Sequence, residues 1–490
     1  MTRQLSSVIG GSAAAGPVGY ENVNPSDTRD VVASVGGADA ALATAAVEAA
    51  REAAADWAAT SPLVRSEVID RAGSELVARF SKLGALLARE EGKTLVEARG
   101  EAMRAGQMLK FAAGQALQFT GGHGASVRPG VEVTVTRRPL GVVSLITPFN
   151  FPLAIPALKV GPALAMGNTA VFKPSDQVRA CAWQLVDILQ RAGLQAGVLN
   201  LILGEPGATG SVLTGHPDVT GVSFTGLVPT GRRVLESSVA HGAGVQLELG
   251  GKNPLVVLDD ADPVLAAELA AQGGWGSTGQ RCTASSFLVV TDGIHDRFLE
   301  ALERRRTDLT VDNARAPGTD MVPVIDDRQL QRTLGYLHRA ADEGGALRGG
   351  ETLERATPGS YQAPALVLDT AAHHAINREE VFGPVISVVR VSGYEEAPRG
   401  GERQSLPVAG CDSDDPASDR RSFQAPLARW DGRGQPADRR RRSPCALRRC
   451  RAQQLWTSRA GIGCLGVLQR DQDALRCCRS RMTAQPSETR

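Results

Sequence analysis

Between residues 142 and 249, five short apolar runs alternate with four helical segments, and this alternation limits the possible folds more than any other feature of the chain. The runs fall at 142–146, 170–172, 198–203, 219–224 and 245–249, with helical spacing at about 152–166, 178–192, 206–215 and 230–240. Strands that alternate with helices argue for βαβ units and a mainly parallel sheet. Ligands of such sheets collect at the carboxyl ends of the strands. The unusual polar groups lie there: Thr147-Pro148-Phe149-Asn150-Phe151-Pro152, Lys173-Pro174-Ser175-Asp176, Phe224-Thr225-Gly226 and Glu248-Leu249-Gly250-Gly251-Lys252.

A second α/β region runs from 254 to about 391, with strands expected near 254–258, 286–290, 365–368 and 385–391 and helices near 262–274, 293–306 and 327–343. Residues 1–36 are polar and turn-rich, with a turn expected at Asn24-Pro25. An Ala-rich helix is expected over 38–60. Apolar residues then recur at helical spacing through 63–119, among them Val68, Ile69, Leu76, Leu83 and Leu87, and this region reads as scaffold rather than chemistry. Val131–Arg138 alternates as a half-exposed strand. The fold class is therefore α/β: residues 1–120 with 140–250 form one unit, 251–397 a second, and 121–139 a small arm.

The formal net charge of +1 gives no reason to expect nucleic acid as a partner. No run of about 18 apolar residues suggests a membrane span, and no leader pattern opens the chain, so a cytoplasmic location is expected. Residues 1–397 contain only Cys181 and Cys282, which fits a reducing compartment. The last 93 residues differ: they hold 19 arginines, no lysine, six of the eight cysteines, and Trp430 and Trp456. Disordered tails are usually poor in Cys and Trp. Residues 398–490 are thus expected to be an aberrant tail without ordered structure, and out-of-frame translation of a GC-rich gene explains them better than a native basic tail.

Glu248 stands between a strand-like run and a Gly-Gly turn, a costly place for a carboxylate without a task. Thirty-four residues later comes Gly279-Gln280-Arg281-Cys282, a thiol in a small, polar setting. Together they suggest a nucleophile and its base. Taken alone each has a plainer reading, an inert cysteine and a salt-bridged glutamate.

These two motifs, with Pro148-Phe149-Asn150, Lys173-Pro174, Phe224-Thr225-Gly226 and Glu380-Val381-Phe382-Gly383-Pro384, resemble the NAD(P)-dependent aldehyde dehydrogenase superfamily over roughly residues 20–397. The resemblance implies two Rossmann-like parallel-sheet domains plus an oligomerisation arm, with the first unit binding the cofactor and the second carrying catalysis. It implies that Cys282 attacks the aldehyde carbon, that Glu248 activates the water that hydrolyses the thioester, and that Asn150 donates to the oxyanion. Lys159 matches a family lysine near the site. Lys173, Ser175, Asp176, Phe224, Thr225, Gly226, Gly231, Glu380 and Phe382 fall on cofactor-contacting positions. NAD or NADP is implied, with Asp176 leaning toward NAD because a carboxylate repels a 2′-phosphate. The text around Cys282 and Asn150 is most similar to the branch acting on semialdehydes such as 2,5-dioxopentanoate. Glu248 itself marks an acid-forming enzyme rather than a coenzyme A-dependent one.

The chain departs from the family pattern in places. Leu227 replaces a serine, Pro229 fits only in the first turn of a helix, and Asp312 and Val322 stand where glycine is common, so strain is expected if those positions need positive φ. His373-His374 has no further spaced ligands and suggests no metal. After residue 397 the family's Gly-Leu-Ser segment, Pro-Phe-Gly-Gly turn and final intersubunit strand do not appear, so a homo-oligomer is expected only with that strand intact. Two rival readings follow: a non-redox cysteine acyl hydrolase, or an inactive product of a disrupted C-terminal part.

Overall fold

The computed structural model describes residues 3–118, 121–393, 396 and 469–470. It contains two parallel-rich sheets. The larger has nine strands in the order Gly244–Leu249, Val219–Gly226, Val142–Ile146, Thr169–Lys173, Leu199–Leu201, Arg3–Ile9, Asp27–Gly37 and Val18–Asn24, with Ser12–Ala14 paired to Arg3–Ile9. The first five are parallel to one another. The smaller sheet runs Pro254–Val257, Phe287–Thr291, Val385–Val391, Ala365–Leu368 and Ala346–Arg348, parallel except for the last pairing.

Alternation of side chains along the strands divides the larger sheet's two faces. Val143, Leu145, Ala170 and Phe172 pack into one core with helices Pro62–Ala78, Leu95–Leu117, Ala154–Ala165 and Arg179–Arg191. Val142, Val171, Val222 and Phe224 pack into another with helices Ala40–Ala59, Pro206–Gly215 and Val228–Val239. Helix starts follow ordinary capping: Asp39 accepts from Leu42 N–H, Ser61 from Val64 N–H ahead of Pro62, and Thr94 from Glu97 N–H.

Within the turn-rich segment 1–36, and reaching to Gly37, the chain forms four strands not anticipated from the sequence. Their order comes from tertiary pairing: Arg3–Ile9 is held between Leu199–Leu201 and Asp27–Gly37, and the buried Ser7 hydroxyl accepts from Leu203 N–H at 3.0 Å. The single strand expected over 131–138 is two pieces. Glu132–Val135 forms an exposed hairpin with Gly122–Ala125, and Arg138–Pro139 turns away to pair with Gln469–Arg470. Apart from that pairing, the expectations for 398–490 lie outside the described residues.

Candidate active site

Strand register brings the polar motifs to one edge. Lys173, Ile146, Phe224 and Leu247 lie in one row across four strands. One residue further along, Thr225 stands opposite Glu248.

The strand pleat then sorts the groups by face. Gln246 and Glu248 share a face, and on it the buried Lys159 ammonium donates to Ser223 Oγ at 2.6 Å, which donates to Gln246 Oε1 at 2.6 Å. Phe224 lies on the opposite face, with the helix Val228–Val239. There Gly231 is packed so closely that a Cβ would lie 2.5 Å from Leu249 Cδ2. Pro229 falls in the first turn of that helix, and Leu227 is its N-cap residue with no side-chain cap bond.

Cys282 follows a sharp left-handed turn. Ser277 and Thr278 have φ of 50° and 55°, and Gly279 has φ of 66°. Positive φ at two consecutive non-glycine residues is strain that the surroundings must hold in place. Glu97 Oε1 accepts from Ser277 N–H at 2.9 Å and from its Oγ at 2.8 Å, while Thr278 Oγ1 donates to the Val322 carbonyl at 2.9 Å. A Cβ on Gly279 would lie 2.0 Å from the Gly383 carbonyl oxygen, so only glycine fits. Beyond the turn, Gln280 Oε1 accepts from Ile325 N–H at 3.0 Å and Asn253 Nδ2 donates to the Cys282 carbonyl at 2.7 Å.

Asn150 reaches this loop directly. Its Nδ2 donates to the Gln280 carbonyl at 2.9 Å, which leaves the second amide hydrogen for another acceptor. Next to it, Phe149 meets Phe382 edge to face, ring centres 5.7 Å apart. Phe382 itself has φ of 60° and is pinned by Gln329 Nε2, which donates to its carbonyl at 2.8 Å.

Glu380 lies against Gly250: a Cβ there would sit 1.8 Å from Glu380 Oε2. Burial pushes the Glu380 carboxyl up to about 7, partly offset by the Gly251 N–H, Arg332 and Lys252. Burial likewise pushes the Lys252 ammonium down to about 7, opposed by Glu380. Both Lys252 Nζ and Glu380 Oε1 are buried without a hydrogen-bond partner among the described residues. Such groups are costly unless something satisfies them.

Lys173, Ser175 and Asp176 form their own cluster. Lys173 Nζ donates to Asp176 Oδ1 at 3.1 Å, Arg179 approaches the same oxygen at 3.6 Å, and Ser175 Oγ donates to Gln177. Burial lowers the Lys173 pKa, and Asp176 opposes that shift.

Of the departures, Asp312 and Val322 are not among the described non-glycine residues with positive φ, so the conditional strain does not arise, and Val322 is simply buried. Arg281 donates to the carbonyls of Gln272 and Gly273 at 2.6 and 2.9 Å, which makes it a helix C-terminal cap. Among the described residues no group of three or more His, Cys, Asp or Glu side chains could hold a metal.

The aldehyde dehydrogenase family model matches residues 13–400. The chain belongs to the aldehyde dehydrogenase family. It is 38% identical to the alpha-ketoglutaric semialdehyde dehydrogenase of Bacillus subtilis (strain 168), over 76% of this chain and 77% of that protein. It is 35% identical to the 2,5-dioxopentanoate dehydrogenase of Saccharolobus solfataricus, over 78% of this chain and 80% of that protein. Betaine aldehyde dehydrogenase from Staphylococcus aureus, in complex with NAD+, superposes with a TM-score of 0.79 at 30% identity, covering 81% of this chain and 80% of the other. As an aldehyde dehydrogenase, this enzyme oxidises an aldehyde with NAD(P), which disfavours the non-redox hydrolase reading. None of its described helices is long and apolar enough to cross a membrane.

Reasoning from sequence missed the charged groups that hold the site loops. Glu97, Glu101 and Lys93 belong to the segment read as pure scaffold, and Lys252 stood inside a motif without a role. One signal was available: Glu101 falls at helical spacing with Ala98, Ala102 and Ala105, on an otherwise apolar face.

Proposed function

We propose that this aldehyde dehydrogenase oxidises a small semialdehyde, with 2,5-dioxopentanoate the first candidate, to the corresponding dicarboxylate. The names of the two relatives above support that substrate class. One observation carries the residue roles: the Asn150 amide is bonded to the loop that ends in Cys282, and Glu248 stands at the carboxyl edge of the neighbouring sheet.

Cys282 as thiolate adds to the aldehyde carbon, and the oxygen of the resulting thiohemiacetal takes its charge beside the Asn150 amide. The chemistry that NAD(P) would supply here, when bound, is that of a hydride acceptor. The thioester left on Cys282 is hydrolysed by water that Glu248 deprotonates, which releases the acid and restores the thiol. Lys159 supplies positive charge on the face of the sheet that bears Glu248.

The residues fit a dinucleotide. Glu380 Oε1 and Lys252 Nζ are buried, unpartnered polar atoms suited to ribose hydroxyls, and Gly250 leaves room for the Glu380 carboxylate. Phe224, Thr225 and Gly226, at the carboxyl end of their strand, and Gly231, in the helix that follows, would lie along the cofactor, and Phe382 sits beside Phe149. Lys173, Ser175 and Asp176 would meet the adenosine ribose. Asp176 favours a 2′-hydroxyl, but the neighbouring Lys173 and Arg179 also suit a 2′-phosphate, so both NAD and NADP remain cofactors to assay. The larger sheet would be the cofactor unit, residues 251–397 the catalytic one, and the hairpin at 122–135 an arm for a homo-oligomer. A cytoplasmic location agrees with the free thiols of Cys181 and Cys282.

The test is NADH formation by the purified full-length chain with 2,5-dioxopentanoate, malonate semialdehyde and betaine aldehyde. Higher kcat/KM for the first is expected, no NADH from Cys282→Ala, and a burst followed by slow turnover in Glu248→Gln. Preference for betaine aldehyde would overturn the substrate assignment; turnover by Cys282→Ala would overturn the nucleophile. A soluble chain inactive toward every aldehyde would favour the disrupted-product reading.

A further inference from the structure

Two carboxylates one turn apart on the helix Leu95–Leu117 each hold a different site loop. Glu97 accepts from both the backbone N–H and the hydroxyl of Ser277, in the turn leading to Cys282. Glu101, four residues on and fully buried, accepts the backbone N–H groups of Leu153 and Ala154 on one oxygen, at 2.9 and 3.1 Å. Its other oxygen pairs with the buried Lys93 ammonium at 2.8 Å, and Lys93 also donates to the Asn150 carbonyl at 2.7 Å. The same ammonium lies 3.9 Å above the Phe151 ring. Every polar atom of the 150–154 segment named here is thus held from this one helix or the residues just before it.

Residues at i and i+4 lie on the same face of a helix, one turn apart. We infer that Glu97 and Glu101, with Lys93, are positioning residues that set the separation between the Asn150 amide and the Cys282 thiol. The inference rests on the roles proposed above for those two residues. Physically the tethers are needed for two reasons. The Ser277-Thr278 turn has a conformation that these residues adopt only when held. The 150–154 segment needs partners for N–H groups at a helix start that has no side-chain cap of its own. A buried ion pair is a poor device for stability alone, because desolvation offsets much of its attraction. It does fix geometry, because each partner has several directed hydrogen bonds to keep.

The experiment compares Glu97→Ala, Glu97→Gln, Ser277→Ala and Glu101→Gln with the wild-type full-length chain. Steady-state kinetics, NAD(P) binding and thermal melting are measured for each. Glu97→Gln keeps a side-chain acceptor for the Ser277 N–H, whereas Glu97→Ala removes it. The expected result is a kcat lower by on the order of 10- to 100-fold in Glu97→Ala. NAD(P) affinity should stay unchanged, and most of the kcat should return in Glu97→Gln. Ser277→Ala, which loses one of two hydrogen bonds, should fall between. Glu101→Gln keeps the acceptor for Leu153 and Ala154 but removes the carboxylate bonded to the buried Lys93, so it should lower kcat and melting temperature together.

Wild-type kcat in Glu97→Ala, or an equal loss in Glu97→Ala and Glu97→Gln, would overturn the tether. If Asn150→Ala and Cys282→Ala lose activity while Glu97→Ala does not, the tether fails and the roles stand. Activity in Cys282→Ala would remove the roles and the tether with them.

Discussion

The Asn150 side-chain nitrogen lies 2.9 Å from the Gln280 carbonyl oxygen, two residues before Cys282. The loop after the strand Val142–Ile146 and the loop before the strand Phe287–Thr291 are thereby joined by one amide. In the role proposed for Asn150, its remaining amide hydrogen would meet the developing oxyanion. Asn150→Ala should therefore lower kcat by about 10²- to 10³-fold, the loss typical of a removed oxyanion donor, worth about 2.7–4 kcal/mol. KM for the aldehyde should change far less, because the interaction strengthens only as charge develops. A change confined to KM would mean that Asn150 only shapes the loop.

Gly250→Ala tests the place of Glu380. The added methyl would fall 1.8 Å from Glu380 Oε2, and the carboxylate, at the end of a flexible side chain, is what would move. The substitution should leave the melting temperature close to wild type and weaken NAD(P) binding as much as Glu380→Gln does. Titration calorimetry on both variants checks this. Wild-type affinity in Gly250→Ala would show that the Glu380 carboxylate need not be where it is.

Much of the site was legible in the sequence because its chemistry lies at strand ends. Glu248 falls at the end of one apolar run and Asn150 soon after another, and Cys282 comes just after the small, turn-forming residues Gly276–Gly279. The helical residues could not be read the same way. Helical spacing puts Glu101 on the apolar face with Ala98, Ala102 and Ala105, but it cannot name a target, and both carboxylates are aimed at loops more than 50 residues away in the chain. The strands within 3–37 were hidden for a related reason. Turn-forming residues interrupt them, and they pair mainly with one another, as two hairpins joined by a parallel pairing, before Arg3–Ile9 meets the distant strand Leu199–Leu201.

The pair Lys252 and Glu380 should make cofactor binding depend on pH. The form of Glu380 that accepts from ribose hydroxyls is the carboxylate, and burial holds its pKa up at about 7. Protons therefore compete with the cofactor, and NAD(P) affinity should fall as pH drops through about 7. Lys252 lowers the Glu380 pKa by its charge, so Lys252→Met should move this fall to higher pH. In the unliganded chain the sign for stability is the opposite. The unfolded chain ionises Glu380 near its ordinary 4.5 while the folded chain keeps the proton up to about 7. The unfolded state thus binds fewer protons across that window, and this group's contribution to stability is lost as pH rises through it. Glu380→Gln should flatten the slope of melting temperature against pH there. A slope unchanged in Glu380→Gln would assign it to another group.

Leu227 offers a gain rather than a loss. It is the N-cap residue of the helix Val228–Val239, has φ and ψ of −69° and 142°, and makes no side-chain cap bond. Serine is favoured in that conformation because its hydroxyl can accept from an N–H of the first turn, a bond worth about 1 kcal/mol. Leu227 is 45% exposed, so little apolar burial is lost on replacement. Leu227→Ser should raise the unfolding free energy in a denaturant titration. Because this helix starts directly after the strand that ends at Gly226 and carries Gly231 in its first turn, a hydroxyl there should also tighten NAD(P), through added contact with the pyrophosphate and a better ordered helix start. The two effects separate by measurement. Greater stability with an unchanged dissociation constant would mean that the cap faces away from the cofactor, and that Leu227 weakens the helix without weakening the site.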